Sequence, residues 1–262
     1  MEIPKITPLG KPIEGAMKRV LDRQAQKGQQ QAGFPIYFNP GINPRDYVQV
    51  PQHGIVIATK ETHLGKDMYD TLDVLSSEGL KMPSAERFMR HWLNVYEAAQ
   101  GKRTLVYADG TNVLAEKALE LWNYMSSTDR SPFQGKVCWT WFNNRFVEEN
   151  GIWHMETDLK TTRQGKDVRL AGTRTRIEDC LRKDCIAKIN SVNSQGFPTQ
   201  ESQDESYSQG SNLHFWHPRE GRVARFYAYS GGANLNCSRD PSNRDSDLGV
   251  FAVAEPKGNA RP

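Results

Sequence analysis

Helical hydrophobic spacing runs through the first half of this 262-residue chain and stops at Ser131-Pro132. Upstream, Met68, Leu72 and Leu75 recur at helical intervals over 62–79. Pro83-Ser84 opens a second helix, with Ser84 as its N-cap and Phe88, Trp92 and Val95 on its apolar face. Leu114, Leu119, Leu121, Trp122 and Met125 mark a third over 112–127. Downstream, 137–142 and 152–155 are short runs of bulky residues around an Asn150-Gly151 turn, the pattern of β-strands. Two periodicities in succession predict an α+β fold. A mainly helical region is expected over 1–130 and a β-rich domain over 131–262.

The remaining stretches follow from the same signals. Residues 11–32 read as a short amphipathic helix running into a glutamine-rich tract, Gln24 to Gln31. Residues 33–54 hold four prolines and three glycines and are expected to be loop. Gly54–Ala58 and Thr104–Tyr107 are strand candidates, the second followed by an Asp109-Gly110 turn. Ile177 to Ile186 is expected to be one helix, 199–212 loop, and Leu248–Val253 the final strand. No internal repeat is visible.

A net charge of +3, with both signs interleaved, argues against nucleic acid and anionic membranes as partners. The basic residues Arg87, Arg90, Lys102 and Arg103 are too sparse to change that. No run approaches the length of a membrane-spanning helix. The start, Met1-Glu2-Ile3-Pro4-Lys5, lacks the apolar core of a secretory signal. A soluble protein is expected, with location otherwise open. The four cysteines, Cys138, Cys180, Cys185 and Cys237, form no CxxC pair and are expected to be free thiols. A Cys180–Cys185 disulfide stays open for an oxidising setting.

The C-terminal fifth carries the functional argument. Tyr207, Phe215, Trp216, Phe226, Tyr227 and Tyr229 alternate with small polar residues, and Gly231–Asp240 follows as a polar, glycine-rich stretch. Tyrosine offers much contact area with few rotatable bonds, and Ser, Asn and Gly adapt their hydrogen bonding, so the mixture suits a binding surface. The same mixture also suits any turn-rich end of a β domain. Residues 221–254 contain no Lys, Glu, Gln, Met or Trp. The types present are those reached when the adenines of an AAC or AAT codon are replaced.

Pro241-Ser242-Asn243-Arg244-Asp245-Ser246-Asp247-Leu248-Gly249-Val250-Phe251 resembles the P-x-N-R-x-x-x-[IL]-G-[FV] ending of formylglycine-generating-enzyme-like C-type lectin folds. That group includes the variable proteins of diversity-generating retroelements. Gly221-Arg222-Val223-Ala224-Arg225-Phe226 sits where the family has an arginine-bearing strand. The family's G-G-S-W signature is degraded here to Gly210-Ser211 with Trp216 further on. The chain as a whole is similar to archaeal variable proteins of nanoarchaeal genomes and archaeal viruses. The likeness is strong over about 135–255 and only general over 1–130.

The resemblance implies a helical N-terminal region followed by a C-type lectin fold, with a variable ligand-binding region over about 210–254. Asp245, Ser246 and Asp247 fill the family's variable slots, while Arg244, Leu248 and Gly249 match scaffold slots. Alternation and codon reach add Tyr227, Tyr229, Ser230, Asn234, Asn236, Ser238 and Asp240 as contact candidates. His214 and His217 are weaker candidates upstream. The partner implied is an unidentified protein or cell-surface ligand. Virion or surface association and an oligomer are both compatible with this.

Competing chemistries are weakly signalled. His214-x-x-His217 lacks a clear third metal ligand, and Pro218 rules out a helical HExxH motif. Asp240, Asp245 and Asp247 offer oxygen ligands, but the retroelement branch does not rely on calcium. Glu148, Glu149, Glu156 and Asp158 lie near strand ends with nothing to fix their separation. A formylglycine-generating cysteine oxidase needs a close cysteine pair where this chain has only Cys237. The expectation is therefore a binding protein without catalytic residues, cofactor or metal. That oxidase, or an ordinary interaction module without diversification, is the alternative.

Overall fold

Asp67 starts the first helix. Its carboxylate accepts the Asp70 amide at 2.8 Å, and α1 runs Met68–Ser77. The helix begins later than 62 because Thr62 bridges Val250 instead. The other Asp67 oxygen, Oδ2, receives Arg244 Nε at 3.0 Å and Nη2 at 2.7 Å. One carboxylate thus caps α1 and anchors the C-terminal loop. Asp67→Ala is expected to lower stability by about 1–2 kcal/mol, read from the urea midpoint.

α2, Ala85–Ala99, starts at Ser84 as the spacing predicts; Ser84 Oγ accepts the Arg87 amide at 3.3 Å. α3 covers Ala115–Ser126. The computed structural model describes residues 41–255 apart from Lys166, so the expected helix over 11–32 lies outside the described residues.

The described chain is a mixed α and β structure in which helices pack on sheets. β1, Tyr47–Val50, pairs antiparallel with β2, Ile55–Ala58. The large sheet uses β3 Cys138–Glu149, β4 Ile152–Gln164, β5 Asp167–Arg176, β6 Cys185–Lys188, β7 Asn212–Trp216, β8 Val223–Tyr229 and β9 Gly232–Arg239. Its seven strands run in the order β5-β4-β3-β8-β9-β7-β6. Only the β7–β9 pair is parallel. β10, Val253–Ala254, joins the other edge of β2 and completes the small sheet.

Register decides which side chains share a face, because successive residues of a strand alternate. Cys138, Phe142, Phe226, Ala228, Leu235 and Phe215 point inward into one core with Phe88, Trp92 and Trp122 from the helices. Phe88 is its hub, with ring centroids 5.0 Å from Phe142, 5.1 Å from Phe226 and 5.4 Å from Phe251. A second cluster covers part of the outer face, where Trp141 and Val223 meet α1 through Met68, Leu72 and Leu75. The change of texture near residue 131 is thus a change of element type within a shared core.

Three expectations need correction. The segment 177–186 is not a helix. Its amides bond outward, Ile177 to Trp153 O and Leu181 to Pro198 O, so no helical ladder forms before β6. Leu248–Val253 is not one continuous strand. It threads between the sheets, with Gly249 bridging Thr140, Val250 bridging Thr62, and Val253 pairing with Ile57. Residues 33–54 are not loop throughout, since β1 lies within them. The Thr104–Tyr107 candidate makes only isolated bridges.

Gly249 has a steric reason. A Cβ there would lie 2.6 Å from the Thr62 carbonyl oxygen, so no other residue lets the two segments approach. Among the described residues no helix is long and apolar enough to cross a membrane.

Candidate outer-face binding surface

Two cross-strand rows build the open part of the outer face. Trp139, Tyr227, Asn234 and His214 are register partners across β3, β8, β9 and β7. Arg225, Asn236 and Trp216 form the next row. Trp139 is fixed through its backbone, whose amide donates to Glu61 at 2.8 Å. Tyr124 OH donates to the same carboxylate at 2.8 Å, and burial pushes the Glu61 pKa up.

Arg225 lies between aromatic rings. Its guanidinium is 4.6 Å from the Trp139 ring centroid and 4.9 Å from that of Tyr227. The Trp139 and Tyr227 rings are 5.8 Å apart, and Tyr227 and Tyr229 5.6 Å. Burial, and then the charge of Arg239, lower the Arg225 pKa to about 10, so it stays cationic at neutral pH. Asp245 reaches into this cluster: it accepts Arg239 Nη2 at 2.8 Å, accepts the Asn243 side-chain Nδ2 and sits 3.6 Å from Arg225 Nη1.

The β8–β9 turn carries the rim. A Cβ on Gly231 would lie 2.6 Å from the Tyr229 ring, and one on Gly232 would lie 2.3 Å from that of Tyr207. Gly232 also has φ +104°, which a side chain would strain. The turn is therefore clasped between two aromatic rings. His214 Nε2 is 3.1 Å from the Gly231 carbonyl, and its ring stacks on Tyr207 at 6.1 Å.

The predicted residues divide by burial. Tyr229 and Ser230 are exposed at the turn, and Tyr227 and His214 are half-buried beside it. Asn234 and Asn236 are buried, against the expectation of contact residues. Asn234 donates to Gly232 O at 2.9 Å and receives the Trp216 indole at 3.5 Å; Asn236 accepts the Ser238 amide at 3.0 Å. Both are braces for the turn and strand rather than open contacts.

Asp245 joins the face, while Ser246 and Asp247 are exposed on the same loop. Asp240 pairs with Arg222, and Ser238 is half-buried at the end of β9. His217 stands apart, with Nδ1 2.6 Å from Asp184 Oδ1. Sequence reasoning did not place Trp139, Arg225, Arg239 or Tyr207 among the contact candidates. Period-two alternation of Trp139 and Trp141 was the available signal, but it does not say which strand becomes their neighbour.

Comparison with protein-family models, curated proteins and solved structures gives no match. The chemistry of the face therefore rests on its own residues.

Other candidate chemistries disperse. The two histidines of His214-x-x-His217 have different partners. Among the described residues no group of three or more His, Cys, Asp or Glu could hold a metal ion. Glu156 accepts Arg174 at 2.8 Å and pairs with Arg145 at 2.8 Å; Glu149 pairs with Arg174 as well. All four cysteines are free. Cys237 is fully buried, and burial raises its thiol pKa well above the usual value, the reverse of what a nucleophile needs. Two clefts of about 340 and 500 Å³ lie beside β1 and β2, and no sequence-predicted site residue lines either.

Proposed function

We propose that the protein is a recognition module that binds a protein or cell-surface ligand through the outer face of β3, β8, β9 and β7. In this reading the β-rich part is a C-type-lectin-type domain of the retroelement-diversified kind. The observation that carries the proposal is the contrast between rim and support. Trp216 and Tyr229 each keep 39% of their surface open, while Arg225, Asn234 and Asn236 beneath them are buried, the asparagines held by hydrogen bonds and Arg225 set between aromatic rings. Large aromatics held rigidly at a surface bind with little loss of side-chain freedom, and Trp, Tyr and Arg dominate binding hot spots. The absence of Lys, Glu, Gln, Met and Trp over 221–254 supports diversification at adenines.

The encoding locus tests diversification. An imperfect repeat of the 3′ end is expected nearby, differing only at adenines and accompanied by a reverse transcriptase gene. The differences should include the codons of Tyr229, Ser230, Ser246 and Asp247 and spare those of Leu248 and Gly249. A gene without such a repeat would remove the retroelement from the reading.

Mutational tolerance tests the face itself. Ser230→Ala and Ser246→Ala should shift the urea midpoint negligibly, because both side chains are exposed. Asn236→Ala should cost about 1–3 kcal/mol by leaving buried partners unsatisfied. Equal losses for all three variants would mean that the rim is structural.

A further inference from the structure

Arg225 is nine-tenths buried, yet among the described residues neither its Nε nor its Nη1 has a hydrogen-bond acceptor. Trp139 Nε1 and Arg239 Nε beside it are in the same condition. Buried donors of this kind are normally satisfied, and a cluster of four needs a reason. The charge balance repeats the pattern. Arg225 and Arg239 share one carboxylate, Asp245, which bonds to Arg239 and Asn243 and stops 3.6 Å short of Arg225. The neighbouring Asp240 is held by Arg222. The aromatic frame leaves Arg225 cationic, oriented and short of an anion.

We infer that the outer face receives a carboxylate from an acidic side chain of a protein partner at Arg225, and that Asp245 is the internal stand-in which that carboxylate displaces. This rests on the recognition function proposed above and adds the chemistry of the partner. A guanidinium matches a carboxylate by paired N–H donors, and a dry, ring-lined setting strengthens the bond. Asp245 lies on a loop and is one-third exposed, so it can leave without disturbing a strand. The surrounding Trp216, Tyr227 and Tyr229 with a central Arg are the side chains that protein interfaces favour at their hot spots.

The test uses the full chain labelled at arginine Nε and follows the Arg225 Nε–H signal by NMR at constant ionic strength. N-acetyl-glutamate amide is the probe, N-acetyl-glutamine amide the neutral control and glucuronate the sugar-acid arm. The glutamate probe should move the Arg225 signal and the glutamine control should not. In Asp245→Asn, half-saturation should fall about tenfold, because an internal competitor has been removed. An unmoved signal in Asp245→Asn, or an equal response to the glutamine control, overturns the inference. A glucuronate response as strong as that of glutamate overturns its assignment to a protein side chain. Either result leaves the recognition function standing if Ser230 and Ser246 remain freely substitutable. The loss of that tolerance would remove the function instead.

Discussion

Phe88→Ala should lower the free energy of unfolding by about 3–5 kcal/mol, the cost of an aromatic deleted from a close-packed core. Phe88 is fully buried and touches three further phenylalanine rings from β3, β8 and the C-terminal segment. The cavity has little freedom to collapse, because the strands around it are fixed by their own ladders. Helices and sheet should also lose structure together. Far-ultraviolet dichroism, which weights the helices, and Trp fluorescence, which includes Trp139 and Trp141 of β3, should give one coincident urea transition in wild type and variant. Two separated transitions would mean that the helical region and the sheet fold independently and that their shared core contributes little.

Acidification should destabilise the protein through His91, with the loss beginning near pH 6.5. His91 lies fully buried on α2 beside Phe88, with ring centroids 6.0 Å apart, and among the described residues neither ring nitrogen has a partner. Burial lowers its pKa from 6.5 to about 3. Between those values the unfolded chain binds a proton that the folded chain refuses. Stability is therefore complete above pH 6.5 and falls as pH drops toward 3. At pH 5 the loss amounts to about 2 kcal/mol, from 1.36 kcal/mol per unit. His91→Met removes the titration while filling similar volume. Urea midpoints at pH 7, 6 and 5 should fall more steeply for wild type than for this variant. Parallel curves would exclude His91 as the source. Glu61, whose folded pKa burial raises, acts in the opposite sense and favours the folded state as its carboxyl protonates.

The helices were legible because each carries its own signal. Ser84 caps α2 where a Ser after a Pro suggests, and Phe88, Trp92 and Val95 share the buried face that their spacing implies. The β3–β4 turn at Asn150-Gly151 was legible for the same reason: Asn150 takes φ +52° and Gly151 φ +77°, conformations those residue types tolerate. Ile177–Ile186 misled because Ile177, Cys180 and Leu181 do reach the core at helical spacing, but as an irregular segment tied to β4 and to Pro198. Asn234 and Asn236 misled because alternation places them on the outer face without revealing that Trp216, Tyr227 and the β8–β9 turn cover them.

Local chemistry in the sequence was enough to set the three helices, the Ser84 start of α2, the Asn150-Gly151 turn, the β texture after residue 131 and the polar, aromatic character of the C-terminal end. These depend on neighbours in the chain, whose geometry a residue type largely dictates. The order of the seven strands, the burial of Asn234 and Asn236, and the meeting of Arg225 with Trp139 and Asp245 depended on tertiary structure alone. Those contacts join residues tens of positions apart, or turn on which strand lies beside which. Strand pairing is chosen by the fit of the whole core, so no single stretch of chain encodes it.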